Sequence, residues 1–157
     1  MKLTWATALS LVSALLASSV QAGNFDGTIC WTGTIETMAT SQKDRIWAWK
    51  GNWTWVATDG NPETVQSGVC VGTGAMMDGE PIVPAHYCIH RTKSGAQFLS
   101  IATPEADGSN TQKIFGGTKE FAGVTGNWTG SPVIVLPAPD GEIAGCRKTS
   151  GEYKLAN

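Results

Sequence analysis

The sequence feature that most constrains the fold is the stretch at residues 46–56, which reads I-W-A-W-K-G-N-W-T-W-V. All of its tryptophans occupy odd positions: Trp47, Trp49, Trp53 and Trp55. Because side chains alternate between the two faces of a strand, a continuous strand places these indoles on one face. A tight turn at residues 50–52 would also bring them to one face, that of a hairpin. A helix of about 3.6 residues per turn would scatter them around its axis, so the stretch predicts β-structure.

This tryptophan face is too large to remain bare. At roughly 150–250 Å² each, four indoles form an apolar surface of about 600–1,000 Å². The largest exposed apolar patch on a typical soluble monomer is about 300–600 Å². The face is therefore expected to be covered, either by the protein's own core or by a ligand or partner. Trp53 and Trp55 follow the pair Gly51-Asn52, and we expect them nearer to an opening than Trp47 and Trp49.

Residues 1–22 have the features of a secretory signal peptide. Lys2 precedes an apolar run at residues 9–16, and small residues lie before the expected cleavage point after Ala22. The run is shorter than the roughly 20 residues that a membrane-spanning helix needs. We therefore predict one folded domain at residues 23–157 and a secreted or periplasmic destination.

The four cysteines all lie in the exported part of the chain. An even number in an oxidising compartment favours two disulfides, and three pairings are open. We favour Cys70–Cys88, which would join neighbouring strands, and Cys30–Cys146, which would join the first strand to the last. A zinc site has little support because no Cys-x-x-Cys spacing occurs, so no metal is predicted.

The rest of the chain consists of short alternating runs separated by turn sequences. Residues 28–38 alternate cleanly, with Ile29, Trp31 and Ile35 on one face and Glu36 on the polar face. Further strands are expected at residues 65–71, 85–92, 97–102, 133–136 and 142–155. No long segment has helical periodicity, and the chain contains 19 glycines. This pattern predicts an all-β protein, either a sandwich or a barrel.

Residues 116–126 read G-G-T-K-E-F-A-G-V-T-G, which resembles the G-G-[ST]-G-x-F-x-G-x-x-G passage of allene oxide cyclases. Plant dirigent proteins and bacterial secreted relatives carry a similar passage, although Lys119 stands where the family usually has glycine. The resemblance implies a single antiparallel β-barrel of about eight strands, with an apolar cavity that opens at one end. Glycines would let a strand bend at a barrel corner while Phe121 fills the interior. The cyclases' catalytic carboxylate matches no position here, so no catalytic residue is predicted.

Two histidines, His86 and His90, are candidates for catalysis or metal binding. His86, Cys88 and His90 share one face of a predicted strand, with the histidines roughly 13 Å apart, too far to share one zinc ion easily. We expect both histidines on the outside of the barrel, with Tyr87 and Ile89 directed inward.

Composition and motifs argue against several classes of function. The chain has a net charge of −2 and no cluster of Lys and Arg, so no nucleic-acid partner is expected. No segment after the signal peptide is apolar for long enough to span a membrane. The chain has neither a Gly-x-Ser-x-Gly elbow nor a phosphate-binding loop, and no cofactor is predicted.

Three functions remain open from the sequence. The first is an exported barrel that binds a small apolar or aromatic molecule in its cavity, with these predicted ligand-binding residues: Trp31, Trp47, Trp49, Trp53, Trp55 and Tyr87. The second is a cofactor-independent cyclase or isomerase that acts on a reactive apolar substrate in the same cavity. The third is a structural or partner-binding protein that uses the tryptophan face. An ionisable residue directed into the cavity would favour the enzyme; the sequence leaves the oligomeric state open.

Overall fold

Strands dominate the computed structural model, which describes residues 22–61 and 64–156. The predicted signal peptide, residues 1–22, lies outside these residues except for Ala22. Within the described residues the ten strands are β1 (Ala22–Asn24), β2 (Gly27–Ala39), β3 (Arg45–Ala57), β4 (Gln66–Met77), β5 (Glu80–Thr92), β6 (Gln97–Pro104), β7 (Asn110–Phe115), β8 (Thr125–Gly130), β9 (Ile134–Leu136) and β10 (Glu142–Lys154). One turn of 3-10 helix, Lys119–Phe121, precedes β8.

Eight of the strands form a closed antiparallel barrel, which confirms the predicted fold class. Strands β2 to β8 pair in sequence order, and β10 pairs with both β2 and β8 to close the ring. The short strands β1 and β9 also pair with β10, at residues 152–154 and 144–146 respectively. Closure gives each barrel strand a neighbour on both sides along the paired part of its length.

The barrel strands differ in length, and this makes its two ends unlike. β2, β3 and β5 have 13 residues each, whereas β7 and β8 have only 6. Pairing of β5 with β6 begins at His86, and pairing of β2 with β10 ends at Thr34. The outer parts of the β2–β3 and β4–β5 hairpins therefore form a wall beyond the short strands. We call this side the open end and the opposite side the closed end.

The closed end contains a packed aromatic core. Its buried members include Phe25, Trp55, Phe98, Phe121, Val124 and Trp128. The Phe25 ring centroid lies 5.8 Å from that of Phe98 and 5.9 Å from that of Trp55. Phe121 lies 5.0 Å from Phe98, so its predicted place in the interior is confirmed. Gly123, with a φ of 71°, supplies the left-handed backbone that turns the chain at this corner.

The tryptophan stretch is one continuous strand, β3, and the turn considered at residues 50–52 does not form. Three of its indoles lie opposite a glycine of β4, in the pairs Trp47–Gly74, Trp49–Gly72 and Trp53–Gly68. A Cβ atom on any of these glycines would overlap the facing indole. The glycines therefore provide the space that the indoles occupy. As a result β4 continues through them to Met77, whereas the sequence predicted that it ends at residue 71.

Both favoured disulfides, Cys30–Cys146 and Cys70–Cys88, are present. Each joins two residues directly opposite one another on neighbouring strands. Cys70 and Cys88 are buried inside the barrel, whereas Cys30 is exposed on its outer surface. Two disulfides, with no free cysteine in the described part of the chain, indicate an oxidising compartment. Among the described residues, no helix has the length and apolarity needed to cross a membrane.

Candidate ligand cavity

A cavity of about 500 Å³ occupies the open end of the barrel. Its volume is within the range of small-molecule sites, which is about 300–1,000 Å³. One wall consists of indoles from β2 and β3, namely Trp31, Trp47, Trp49 and Trp53. Another wall comes from the segment around β9, through Val133, Val135, Leu136 and Ala138. The cavity is thus mainly apolar, with aromatic rings on one side and aliphatic groups on another.

Four of the six predicted ligand-binding residues line this cavity, and two do not. Trp55 lies deeper, in the closed end, where its Nε1 donates a hydrogen bond of 2.8 Å to Thr149 Oγ1. Tyr87 is 54 % exposed on the outer surface, so its expected inward direction is wrong. Tyr87 points outward because the neighbouring Cys88 faces Cys70 inside the barrel, and adjacent residues of a strand face opposite ways.

The expected order of depth along β3 is also wrong. Trp53 and Trp55 are 3 % and 5 % exposed, whereas Trp47 and Trp49 are only partly buried. Because Gly51 continues the strand, β3 runs as one strand from the open end to the closed end. Trp47 and Trp49 therefore lie nearer to the opening.

His86 lies inside the barrel, in the cavity wall, and not on the outer surface as predicted from the sequence. Its ring meets the Trp49 indole edge-on, with 4.9 Å between the centroids. Burial, and to a smaller degree the positive charge of Arg147, lowers the pKa of His86 to about 4. The imidazole is therefore neutral at neutral pH and able to accept a proton or a hydrogen bond.

His90 also faces inward, beneath the cavity, so its predicted outer position is wrong. Its ring stacks on Phe98 with 4.3 Å between centroids, and burial lowers its pKa to about 3. His90 Nε2 and Ser100 Oγ are 2.8 Å apart, and Ser100 Oγ donates to Gln112 Oε1 at 2.8 Å. Because the serine proton goes to Gln112, Nε2 is the donor toward Ser100. This buried chain of polar groups reaches the cavity at Gln112, which is one of its lining residues.

Arg147 is a functional candidate that the sequence analysis missed. It projects from β10 into the cavity, with its guanidinium carbon 5.4 Å from the Trp31 ring centroid. Burial lowers its pKa, and its Nη1 atom is buried without a hydrogen-bond partner. The signal for it was available, because Cys30 belongs to the polar face of β2. A Cys146 paired with Cys30 must share that outer face, which turns Arg147 inward.

Unpaired polar atoms cluster around the same cavity. Among the described residues that line it, four have a buried polar atom without a partner: Trp53 Nε1, Trp128 Nε1, Arg147 Nη1 and Asn110 Oδ1. Buried polar groups in folded proteins are nearly always hydrogen-bonded, so this concentration of exceptions marks the cavity as unusual.

Trp128 was also missed by the sequence analysis, and its signal was the repeated tetrapeptide Gly-Asn-Trp-Thr at residues 51–54 and 126–129. Both copies place their tryptophan inside the barrel, as Trp53 and Trp128. Within the described ranges, no three side chains of His, Cys, Asp or Glu come close enough to form a metal site.

The sequence matches no protein-family model and no curated protein. The resemblance of residues 116–126 to allene oxide cyclases therefore stays a prediction, and the site's chemistry rests on its own geometry.

Proposed function

We propose that this protein is an exported binding barrel that holds a small, mainly apolar or aromatic molecule in the cavity at its open end. The observation that carries the proposal is a wall of indoles facing a cavity of about 500 Å³ above a packed core. A secreted or periplasmic location agrees with the two disulfides.

The arrangement of the wall supports binding better than it supports a core. In a core, the volume in front of each indole is filled by other side chains at close packing. Here Trp47 and Trp49 border a cavity and stay partly exposed. Their rings also lie against the glycines of β4, which restricts their rotamers before a ligand binds. Ligand binding then costs less side-chain entropy. A rigid apolar wall next to empty volume is typical of a preformed binding site.

A second candidate is a cofactor-independent cyclase or isomerase, and one observation favours it. His86 and Arg147 place a neutral imidazole and a fixed positive charge in an otherwise apolar cavity. Such a pair can accept a proton and hold an anionic group on a reactive substrate. The family resemblance of residues 116–126 points to the same class of activity. The indoles face the interior, so we do not propose that they form an outer docking surface.

The proposed binding is tested with N-phenylnaphthylamine, a neutral aromatic probe whose fluorescence rises in apolar sites. We expect the probe to bind and to quench tryptophan emission. Trp49→Ala removes part of the cavity wall and should weaken probe binding about tenfold or more, since burying an aromatic side chain is worth about 1.5–3 kcal/mol. Tyr87→Ala, an aromatic residue of the outer surface, is the matched control and should leave affinity unchanged. Absence of probe binding, or equal affinities for both variants, would contradict the proposal.

A further inference from the structure

We propose that the ligand carries an oxyanion, a carboxylate or sulfonate, on its apolar body, and that Arg147 binds this group within the cavity. The inference rests on the proposed function and adds the chemical class of the ligand.

The first argument is the charge of Arg147. A guanidinium stays protonated in proteins, so this side chain brings a full positive charge into the barrel. No carboxylate in the described part of the chain forms an ion pair with it, and burial alone accounts for its lowered pKa. The face of the Trp31 ring attracts the positive charge of the guanidinium, but it does not provide oxygen acceptors for the N–H groups of Arg147. Arg147 is partly buried and its Nη1 atom is fully buried. A partly desolvated charge without a counterion is unfavourable, and a ligand anion would supply the missing partner.

The second argument is the excess of donors. Of the four unpaired atoms around the cavity, three are N–H donors, on Arg147, Trp53 and Trp128. Acceptor oxygens are the groups that satisfy such donors, and an oxyanion provides two or three of them.

The third argument is the space left for the guanidinium. Gly130 lies beside both Arg147 and Asn110, and a Cβ atom at this position would lie 3.2 Å from Arg147 Nη1 and overlap Asn110 Oδ1. The absence of a side chain at residue 130 thus lets the arginine extend over β8 into the cavity.

The charged and titratable groups around the site are consistent with one negative charge on the ligand. His86 is neutral, and Glu142, the carboxylate among the lining residues, is exposed on the same strand as Arg147. The positive charge of Arg147 acts on His86, because it contributes to the lowered pKa of that imidazole. An anion bound to Arg147 would offset this charge and raise the pKa of His86.

The test compares two probes that share their aromatic rings. Anilinonaphthalene sulfonate carries an oxyanion, and N-phenylnaphthylamine lacks it. We expect the wild-type protein to prefer the sulfonate. Arg147→Met should weaken sulfonate binding about 10- to 100-fold, the range expected for losing a hydrogen bond to a charged group, and should change binding of the neutral probe little. Arg91→Met, at an exposed arginine of β5, is the matched control and should not alter the preference.

The outcomes separate this inference from the proposed function. If the neutral probe does not bind the wild-type protein, the proposed function fails. If it binds, but Arg147→Met leaves the ratio of the two affinities unchanged, the inference is overturned and the proposed function stands. Wild-type protein gives a readout that needs no variant: saturating sulfonate probe should raise the pKa of His86 in an NMR titration, and the neutral probe should not. An equal response to both probes would also overturn the inference.

Discussion

The closed and open ends of the barrel use the same residue type on the same strand in two different ways. At the closed end, Trp55 packs against Phe25, and its N–H is satisfied by Thr149. At the open end, Trp47 borders the cavity, with the Arg45 guanidinium 5.9 Å from its ring. The difference lies in what stands before the indole, aromatic side chains at one end and empty volume at the other. Alternation along a strand therefore determines which face a side chain lies on, but not whether that side chain packs in the core or lines the cavity.

The largest expected contrast is between Trp55→Ala and Trp47→Ala. Trp55→Ala leaves a cavity in the core and removes the hydrogen bond that Thr149 Oγ1 accepts, and it should lower the free energy of unfolding by about 3–5 kcal/mol. Trp47→Ala should cost only about 1 kcal/mol because the indole is partly exposed and fewer contacts are lost. Urea unfolding of the two variants measures both values. Equal losses would mean that the two ends are packed alike.

The glycines of β4 give a second contrast, between Gly68→Ala and Gly72→Ala. A Cβ at Gly68 would overlap the backbone oxygen of Ile89 and the fixed Trp53 ring, so we expect a stability loss near the upper end of the roughly 1–3 kcal/mol typical of overpacking.

At Gly72 the added methyl would meet only side-chain atoms of Trp49 and His86, which border the cavity and can move into it. We therefore expect a stability loss of about 1 kcal/mol or less, together with weaker probe binding. Thr73→Ala, on the exposed face of the same strand, is the control. Equal losses in the free energy of unfolding for Gly72→Ala and Gly68→Ala would contradict this expectation.

The third contrast concerns the two inward histidines. The unfolded chain binds protons at these residues below a pKa of about 6.5, whereas the folded pKa values are about 4 for His86 and about 3 for His90. The unfolded state therefore holds more protons, and stability falls as the pH drops below 6.5. Each histidine contributes a slope of up to about 1.4 kcal/mol per pH unit.

Urea unfolding between pH 7 and pH 5 measures this slope before the carboxylates titrate. His86→Gln and His90→Gln should each remove part of the pH dependence. At His86, nearer to the opening, the loss of slope should be the smaller of the two because solvent screens a partly exposed group. A flat profile in the wild-type protein would mean that these imidazoles titrate with the same pKa in the folded and unfolded states.

Much of the fold was predictable from the sequence because it depends on period-two alternation. Most of the strands, the all-β class, both disulfides and the interior position of Phe121 were predicted correctly, and the barrel was implied by the family resemblance. The strands β7 and β8 were not predicted, and β8 contains Gly126 and Gly130, a residue type that is depleted in strands. In the structure these glycines make room for Tyr153 and Arg147, which lie on the neighbouring β10. Glycine occurs in turns because it can adopt backbone angles that other residues avoid, and it occurs in strands where a neighbouring side chain needs the space. The sequence alone does not show which of these two roles a given glycine has.

The site was predictable only in part, for a related physical reason. Four cavity tryptophans were identified, but the inward directions of His86, His90 and Arg147 were not. Apolar residues are favoured inside a barrel, so Tyr87 and Ile89 were expected to face inward and the histidines outward. The inner face of the neighbouring β4 carries Cys70 and the small glycines, because the indoles of β3 already fill that space. Cys88 pairs with Cys70 on that inner face, and the histidines share the face of Cys88. Side-chain direction on one strand thus depends on residue volume on the next.

The tryptophan–glycine pairs between β3 and β4 have a consequence for how such a barrel can acquire new specificities. Each pair holds one large and one minimal residue at facing positions, so exchanging Trp49 with Gly72 would conserve volume while moving the indole to the neighbouring strand. Volume-conserving exchanges are the best tolerated changes in packed proteins. Exchanges at the three pairs would give cavities of different shape on the same backbone. A change in ligand specificity would then need neither insertions nor a change of strand register, and the packed closed end would keep the fold stable.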